Sequence, residues 1–253
     1  MLLGTSALII GVVATFFLAL VAVYGRALTP AGGAVAAAFG VVIVLFVGFP
    51  YLALLVVFLA ASSLATRYRF EEKKQKHVQE GRAGERGVSN VVAHIILPTA
   101  LAVAGGIASP LLREPTTALL FAGALSFGAA DTFASEFGVL AGHARSILSG
   151  KPVPPGTNGG VSATGQWAAL AASLMIAVVG LGLFWTFETS LPNVILFVAT
   201  VTAAGFAGCQ IDSVLGELFE NRGLLSKGST NFLGMLFAIL FSAGVLAASG
   251  AAL

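Results

Sequence analysis

The sequence predicts an all-α, polytopic integral membrane protein of about eight transmembrane helices, organised as one membrane domain over residues 1–253. Two observations carry that prediction. Of the 253 residues, 57% are hydrophobic and 9% are charged, so a water-soluble surface, which takes roughly a quarter of charged residues, cannot be built. The apolar runs are broken by Gly, Pro and short polar loops instead of strand-like alternation, which selects helices over an outer-membrane barrel.

The first segment, Leu2 to Tyr24, has no positive N-terminal region and no small-residue cleavage site before Arg26. It therefore reads as a retained helix and not as a signal peptide. Further spans are expected at roughly Ala31 to Val47, Tyr51 to Ala65, Val91 to Ser109, Thr116 to Ala130, Gln166 to Phe187, Val194 to Ile211 and Thr230 to Ser249. Several are short for a hydrocarbon core of about 30 Å. Pro50, after Gly48 and Phe49, marks a tight turn, with one long kinked helix as the competing count.

Alternating the loops across these spans gathers Arg26, the stretch from Arg67 to Arg86, Arg145, Lys151, Arg222 and Lys227 on one side, and leaves Arg113 on the other. The positive-inside rule makes the charged side cytoplasmic and puts both termini outside. Cytoplasmic loops are then expected at about 66–90, 140–165 and 212–229. Trp167 and Trp185 fall near opposite ends of one helix as interfacial anchors. The single Cys, Cys209, lies in an apolar stretch and cannot form an intramolecular disulfide, so packing is its simplest role.

Against this background "ADTFASEFG", residues 130–138, stands out, because it ends an apolar run with Asp131, Thr132, Ser135 and Glu136. Ionisable groups near hydrocarbon are costly, by several kcal/mol, unless solvated, paired or bound to a cation, which makes function the default reading. The tail of the seventh span, "IDSVLGELFEN", repeats the pattern with Asp212, Ser213, Gly216 and Glu217. Both helices run in the same direction, and each is followed by a Gly-bearing basic loop and an Asn, Asn158 and Asn231, before the next helix region. This is a weak internal repeat, an arrangement that places sites at the repeat interface. Two carboxylates brought together from parallel helices repel unless a cation lies between them, and hard oxygen ligands suit Mg²⁺ shared with substrate phosphates. The plainer alternative is helix-end solvation, or pairing with the basic loop.

The loop from Thr66 to Asn90 holds seven Lys or Arg and four Glu, and a polybasic segment of this kind binds anionic lipid heads and fixes topology. Within it, "GRAGERGVSN" sets Arg82, Arg86 and Asn90 among glycines just before a membrane helix, where Arg forks and exposed amides suit phosphate. The other loop, "SGKPVPPGTNGGVSATG", has prolines that stiffen its approach and Gly156, Gly159 and Gly160, which permit positive φ or close backbone approach. Successive amides there are expected to form an anion nest, helped by Lys151, Thr157, Asn158 and Ser162. It is not a Walker A loop, since no Gly-Lys-Ser/Thr follows the glycines. His77, His94 and His143 show no metal-ligand spacing, which disfavours a zinc site or a hydrolase triad.

"ADTFASEFG", "PPGTNGGVSATG", "GCQIDSVLGE" and "GERGVSNVVA" resemble the membrane family that contains the phytyl-phosphate kinases of plants and cyanobacteria, with many uncharacterised archaeal and bacterial members. That family is distantly similar to dolichol and phytol kinases and to CTP-dependent lipid cytidylyltransferases. The resemblance runs from about Thr29 to the end. It implies transfer of phosphate from CTP or another nucleoside triphosphate to an isoprenoid monophosphate, giving the diphosphate, with Mg²⁺ or another divalent cation.

On this reading Asp131 and Asp212 hold the cation, with Glu136 and Glu217 as second ligands or supports. Arg82, Arg86, Asn90, Lys151, Gly156, Thr157, Asn158, Gly159, Gly160, Ser162 and Asn231 hold phosphate or substrate. Phosphoryl transfer is mainly positioning and charge neutralisation. The expected partners are the bilayer, the isoprenoid phosphate and the nucleotide, with no nucleic acid. Two alternatives use the same residues: cytidylyl transfer releasing pyrophosphate, and transport of an anionic or isoprenoid solute. A transporter normally keeps its polar groups near the midplane, whereas these acids gather at one interface.

Overall fold

The computed structural model describes residues 5–79, 81, 83–107, 115–186 and 193–250. Arg82 and Arg113 lie outside the described residues. Among those described, eight helices are long and apolar enough to cross a membrane: α1 (Thr5–Tyr24), α2 (Pro30–Val47), α3 (Phe49–Arg67), α5 (Val88–Gly106), α6 (Thr116–Gly138), α7 (Ala163–Thr186), α8 (Val194–Leu215) and α9 (Lys227–Ala248). A short helix, α4 (Phe70–Gln75), lies inside the basic loop.

The helix starts follow local chemistry. Thr29 caps α2 by accepting from Gly32 N at 3.0 Å, and Pro30 occupies the first turn, where its missing N–H is no loss. Asn193 and Ser226 cap α8 and α9 in the same way. Gly48, at φ 88°, separates α2 from α3, so the Pro50 region is a turn between two helices and not a kink.

The helix with the acidic motif is the hub. In α6, 83% of the membrane window is buried, against 11% in α1, and α3, α5, α7, α8 and α9 all pack on it. Such close packing in lipid needs small residues at the crossings. Gly205 of α8 sits against α6 so tightly that a Cβ there would lie 2.0 Å from Ser126 Oγ and 2.7 Å from its carbonyl carbon. Phe127 is gripped the same way between Gly208 of α8 and Gly234 of α9.

Both acid-bearing helices run further than the apolar pattern suggests. α6 continues past Ala130 to Gly138, and α8 reaches Leu215 before widening into a π-helical turn, Gly216–Glu220. Asp131 and Asp212 are therefore inside helices and not at their ends. The Gly-rich loop is also more ordered than an irregular nest. It forms a three-stranded antiparallel sheet, with β1 (Ala144–Ser146) between β2 (Pro152–Val153) and β3 (Gly160–Val161). Ala144 pairs with Val153, and Arg145 with Val161.

The polar loops meet on one face. The backbones at Leu28 and Arg86 form a parallel bridge, with Thr29 N donating to Arg86 O and Arg86 N to Ala27 O, both at 3.0 Å. Arg67 donates to the Gly25 carbonyl. Asn221 Nδ2 donates to Asn158 O at 3.1 Å, which joins the loop after α8 to the sheet.

The close α6–α8 crossing generates a prediction. Gly205→Val should force the two helices apart or strain Ser126, lowering stability by about 1–3 kcal/mol or more. Thermal unfolding of the purified protein in detergent should show the loss, whereas Gly244→Val, with nothing within 4 Å of its added Cβ, should leave the midpoint nearly unchanged.

Candidate functional site

Where the loop face meets the bundle there is a polar cavity of about 330 Å³. Asp131 comes to it from α6 and Asp212 from α8, adjacent helices whose negative charges act on one another. Glu136, Glu220 and Lys227 are the other charged residues of its lining, and Gly156, Thr157, Asn158, Gly159, Gly160 and Ser162 line it as well. The two aspartates of the sequence repeat and the Gly-rich loop thus line one space.

Two of the glutamates are held by donors from other segments. Glu136 is 7% exposed and accepts from Lys73 Nζ at 2.7 Å. Lys73 is itself fully buried, and its two other bonds go to the carbonyls of Ala65 and Thr66. That arrangement locks the basic loop onto α6, and Glu136 acts as a support in this geometry. Glu217 turns away from the cavity: it accepts from Ser146 Oγ at 2.6 Å and from Leu148 N at 3.4 Å. The π-turn at Gly216 breaks the expected correspondence between Glu136 and Glu217, because the wider turn rotates the downstream residues out of α-helical register. Glu220, not Glu217, lies on the cavity wall, where it accepts from Thr230 Oγ1 at 3.3 Å.

The glycine loop seats on α8 through Gly159. At φ +79° it occupies left-handed space, and a Cβ there would lie 2.4 Å from Glu217 Cβ. The amides of Thr157 and Gly160 close turns inside the loop, onto Pro154 O and Thr157 O, so these two do not serve an anion nest. Thr157 Oγ1 donates to Pro154 O at 2.8 Å, and Ser162 Oγ accepts from Gly165 N at 3.1 Å as the cap of α7. Beside the loop, the first turn of α7 reaches the cavity through Gly165 and Gln166; their amides are bonded to Ser162, so what this helix end offers an anion is its dipole.

Three expected phosphate ligands are placed elsewhere. Lys151 is exposed and outside the cavity wall, since the β1–β2 pairing carries it to the rim. Arg86 and Asn90 face a second, apolar cavity. Arg86 nevertheless reaches the site's edge, because its Nη2 donates to Thr132 Oγ1 at 3.3 Å, one residue from Asp131. Asn231 is buried beside Asp212, and with its amide nitrogen toward the carboxylate it donates to Asp212 Oδ1 at 3.3 Å.

Sequence reasoning missed Lys73, Lys227, Glu220 and His94. Lys73 is one of seven basic residues in its loop and carries no local mark. Lys227, at the first turn of α9, is on the wall through the docking of α9 against α8. His94 is 4% exposed, with Nδ1 2.9 Å from Asn90 O and Nε2 3.5 Å from the side-chain amide of Asn231.

Among the described residues no three His, Cys, Asp or Glu side chains gather as one metal-ligand set. A dedicated protein cage is therefore not what this site offers. Two aspartates on one wall fit a hard cation that takes its remaining oxygens from water and substrate phosphate, as Mg²⁺ does.

The chain matches the family described as "Integral membrane protein DUF92" over residues 13–248. It is 28% identical over 198 residues to an uncharacterized membrane protein of Methanocaldococcus jannaschii, covering 78% of this chain and 76% of the relative. An uncharacterized membrane protein of Synechocystis is 33% identical over 237 residues, 89% of this chain and 87% of the relative. Protein PGR of Arabidopsis thaliana is 34% identical over 195 residues, 71% and 67% of the two chains. No solved structure matches the chain.

The buried pair makes a second prediction. Lys73→Met leaves Glu136 without its cation in a water-poor setting and should destabilise by about 3–5 kcal/mol. Adding Glu136→Leu to it should recover much of that loss, since the double variant buries no lone charge. Unfolding midpoints of the two single variants and the double variant measure the coupling.

Proposed function

The chain belongs to the DUF92 family of integral membrane proteins, and from that premise we propose that it is a membrane-embedded phosphotransferase. It converts an isoprenoid monophosphate to the diphosphate with a nucleoside triphosphate and a divalent cation. The observation that carries this reading is that Asp131 and Asp212 line one cavity together with the Gly-rich loop and the first turn of α7. A space with two short carboxylates, a lysine and a helix N-terminus has the donors for a cation and for phosphates at once.

The reaction needs little covalent help from the protein. An oxygen of the acceptor monophosphate attacks the γ-phosphorus, the bond from that phosphorus to the β,γ-bridging oxygen breaks, and the nucleoside diphosphate leaves with that oxygen. The acceptor is already ionised, so no strong general base is required. Asp131 and Asp212 would hold a divalent cation, which would supply charge neutralisation for the phosphate oxygens. Lys227 and the α7 N-terminus hold phosphate charge, and Gln166, braced by Gln210 at 3.0 Å, offers polar contacts beside them. Glu136, Glu217 and Asn231 keep the frame: the first ties the basic loop to α6, the second ties the sheet to α8, and the third steadies Asp212.

The wall residues lead to the expected result that Asp131→Asn and Asp212→Asn each lower divalent-cation-dependent turnover by about 10²-fold or more, with folded protein retained. The assay is conversion of a prenyl monophosphate with γ-labelled and, separately, base-labelled nucleotide. Label from the γ-phosphate in the diphosphate product supports kinase chemistry. Base label in the lipid product would replace it with cytidylyl transfer. Solute flux in proteoliposomes without nucleotide turnover would replace it with transport.

The loop charges support a cytoplasmic orientation for this face. Lys151→Cys, on the exposed rim, should resist an impermeant thiol reagent added outside intact cells and react after permeabilisation, while Cys209, 2% exposed, stays silent in both. Efficient labelling from outside would reverse the orientation.

A further inference from the structure

A second cavity, of about 270 Å³, lies between α1, α2, α3 and α5. Its walls are almost entirely aliphatic, from residues such as Leu18, Leu55, Leu59 and Ile95, but one end carries Arg86, Asn90 and His94. We propose that this cavity holds the apolar chain of a single-tailed phosphate monoester, with Arg86 receiving the phosphate at the cavity's polar end. The assignment deepens the preceding reading by giving its acceptor a place, and it rests on that reading only for the identity of the head group.

The first support is charge complementarity. Arg86 is 4% exposed, and its guanidinium lies 5.9 Å from the centroid of the Phe58 ring. An arginine at the end of an aliphatic chamber matches an amphiphile that is apolar along its length and anionic at its tip. The guanidinium fork suits phosphate better than a point charge would.

The second is that Arg86 is built into its position. Its N–H and C=O both bond the segment between α1 and α2, and Gly32 comes so close that an added Cβ would lie 2.8 Å from Arg86 O. A solvent-seeking loop arginine does not need its backbone clamped between two transmembrane helices.

The third is that side-chain contacts link the linings of the two cavities. Arg86 lines the apolar one and donates to Thr132, beside Asp131; His94 lines it and lies 3.5 Å from Asn231, which contacts Asp212. Asp131 and Asp212 line the polar one. A phosphate at Arg86 therefore sits at the partition between the apolar chamber and the paired aspartates.

Size limits the occupant. A cavity of about 150 Å³ holds benzene, so this one takes a single chain of roughly ten carbons, and the remainder of a longer chain extends into the bilayer. Because the tail exchanges lipid for aliphatic side chains, it gains little hydrophobic free energy on entry. The head therefore supplies most of the affinity, and the chamber adds the weaker selection by fit that a headless chain also meets.

The test is photocrosslinking of the wild-type protein in nanodiscs with a diazirine-bearing C15 prenyl monophosphate, read by peptide mapping. The expected result is labelling on α1 and α3 at the cavity wall, competed by unlabelled C15 monophosphate and not by equimolar dioleoyl phosphatidate. Arg86→Gln should weaken probe binding about tenfold or more while leaving capture of the matching prenyl alcohol unchanged. Ala19→Phe, which fills the chamber, should reduce capture of both. Labelling confined to the outer faces of α7 and α8, equal competition by phosphatidate, or equal phosphate binding in Arg86→Gln of wild-type unfolding midpoint would each overturn the assignment. These readouts are independent of turnover: cavity labelling without phosphoryl transfer would keep this site and remove the kinase reading, and transfer with labelling elsewhere would do the reverse.

Discussion

The near-contact between Gly205 and Ser126 is the constraint on which the rest of this structure depends. Two helices that each carry an aspartate normally stand apart by the width of their side chains and by the repulsion of their charges. Here a glycine removes the side chain at the crossing, and α6 is buried on all sides by α3, α5, α7, α8 and α9, so its position is set by packing and not by the acids. In lipid, where apolar side chains gain nothing by leaving the solvent, close contact of this kind is the main source of helix association. The bundle thereby holds two carboxyl groups on the lining of one cavity.

The longer carboxylates have a different task from the shorter ones. Glu136 reaches across to Lys73, and Glu217 to Ser146, so each fastens one extramembrane segment to one of the two acid-bearing helices. A buried ion pair adds little net stability relative to an apolar pair of the same shape, but breaking it is expensive. Such a pair is suited to defining a unique position for a loop. The basic segment, which by charge alone would spread over lipid heads, is instead pinned through α4 against α6, while the bridge to Leu28 holds Arg86 at the apolar cavity.

The two cavities differ in a way that reflects their walls. The polar one is made by residues near the loop face of α6 and α8 and by a sheet with its own hydrogen-bond ladder, so its shape does not depend on lipid. The apolar one is closed on one side by α1, which is largely unburied within the bundle. Groups that handle charge are fixed, and the chamber that takes a tail is bounded by a helix facing lipid.

Much of this architecture is written locally. Eight apolar runs, the Gly48–Pro50 turn, the caps Thr29, Asn193 and Ser226, and the shared face of the basic loops arise from composition, φ preferences and alternation along the chain, since a membrane forces each span to satisfy its own backbone. The pairing of Asp131 with Asp212 was also legible, because the motif recurs with the same direction and depth. What tertiary structure decided was the partner of each remaining side chain. Nothing in seven similar cations marks Lys73 as the buried one. Nothing in an α-helical repeat foretells the π-turn that swaps Glu220 for Glu217 on the cavity wall, or the strand pairing that carries Lys151 to the rim. Those outcomes depend on which surfaces meet between segments far apart in the chain, and a one-dimensional pattern carries spacing along a helix but not the identity of what lies opposite.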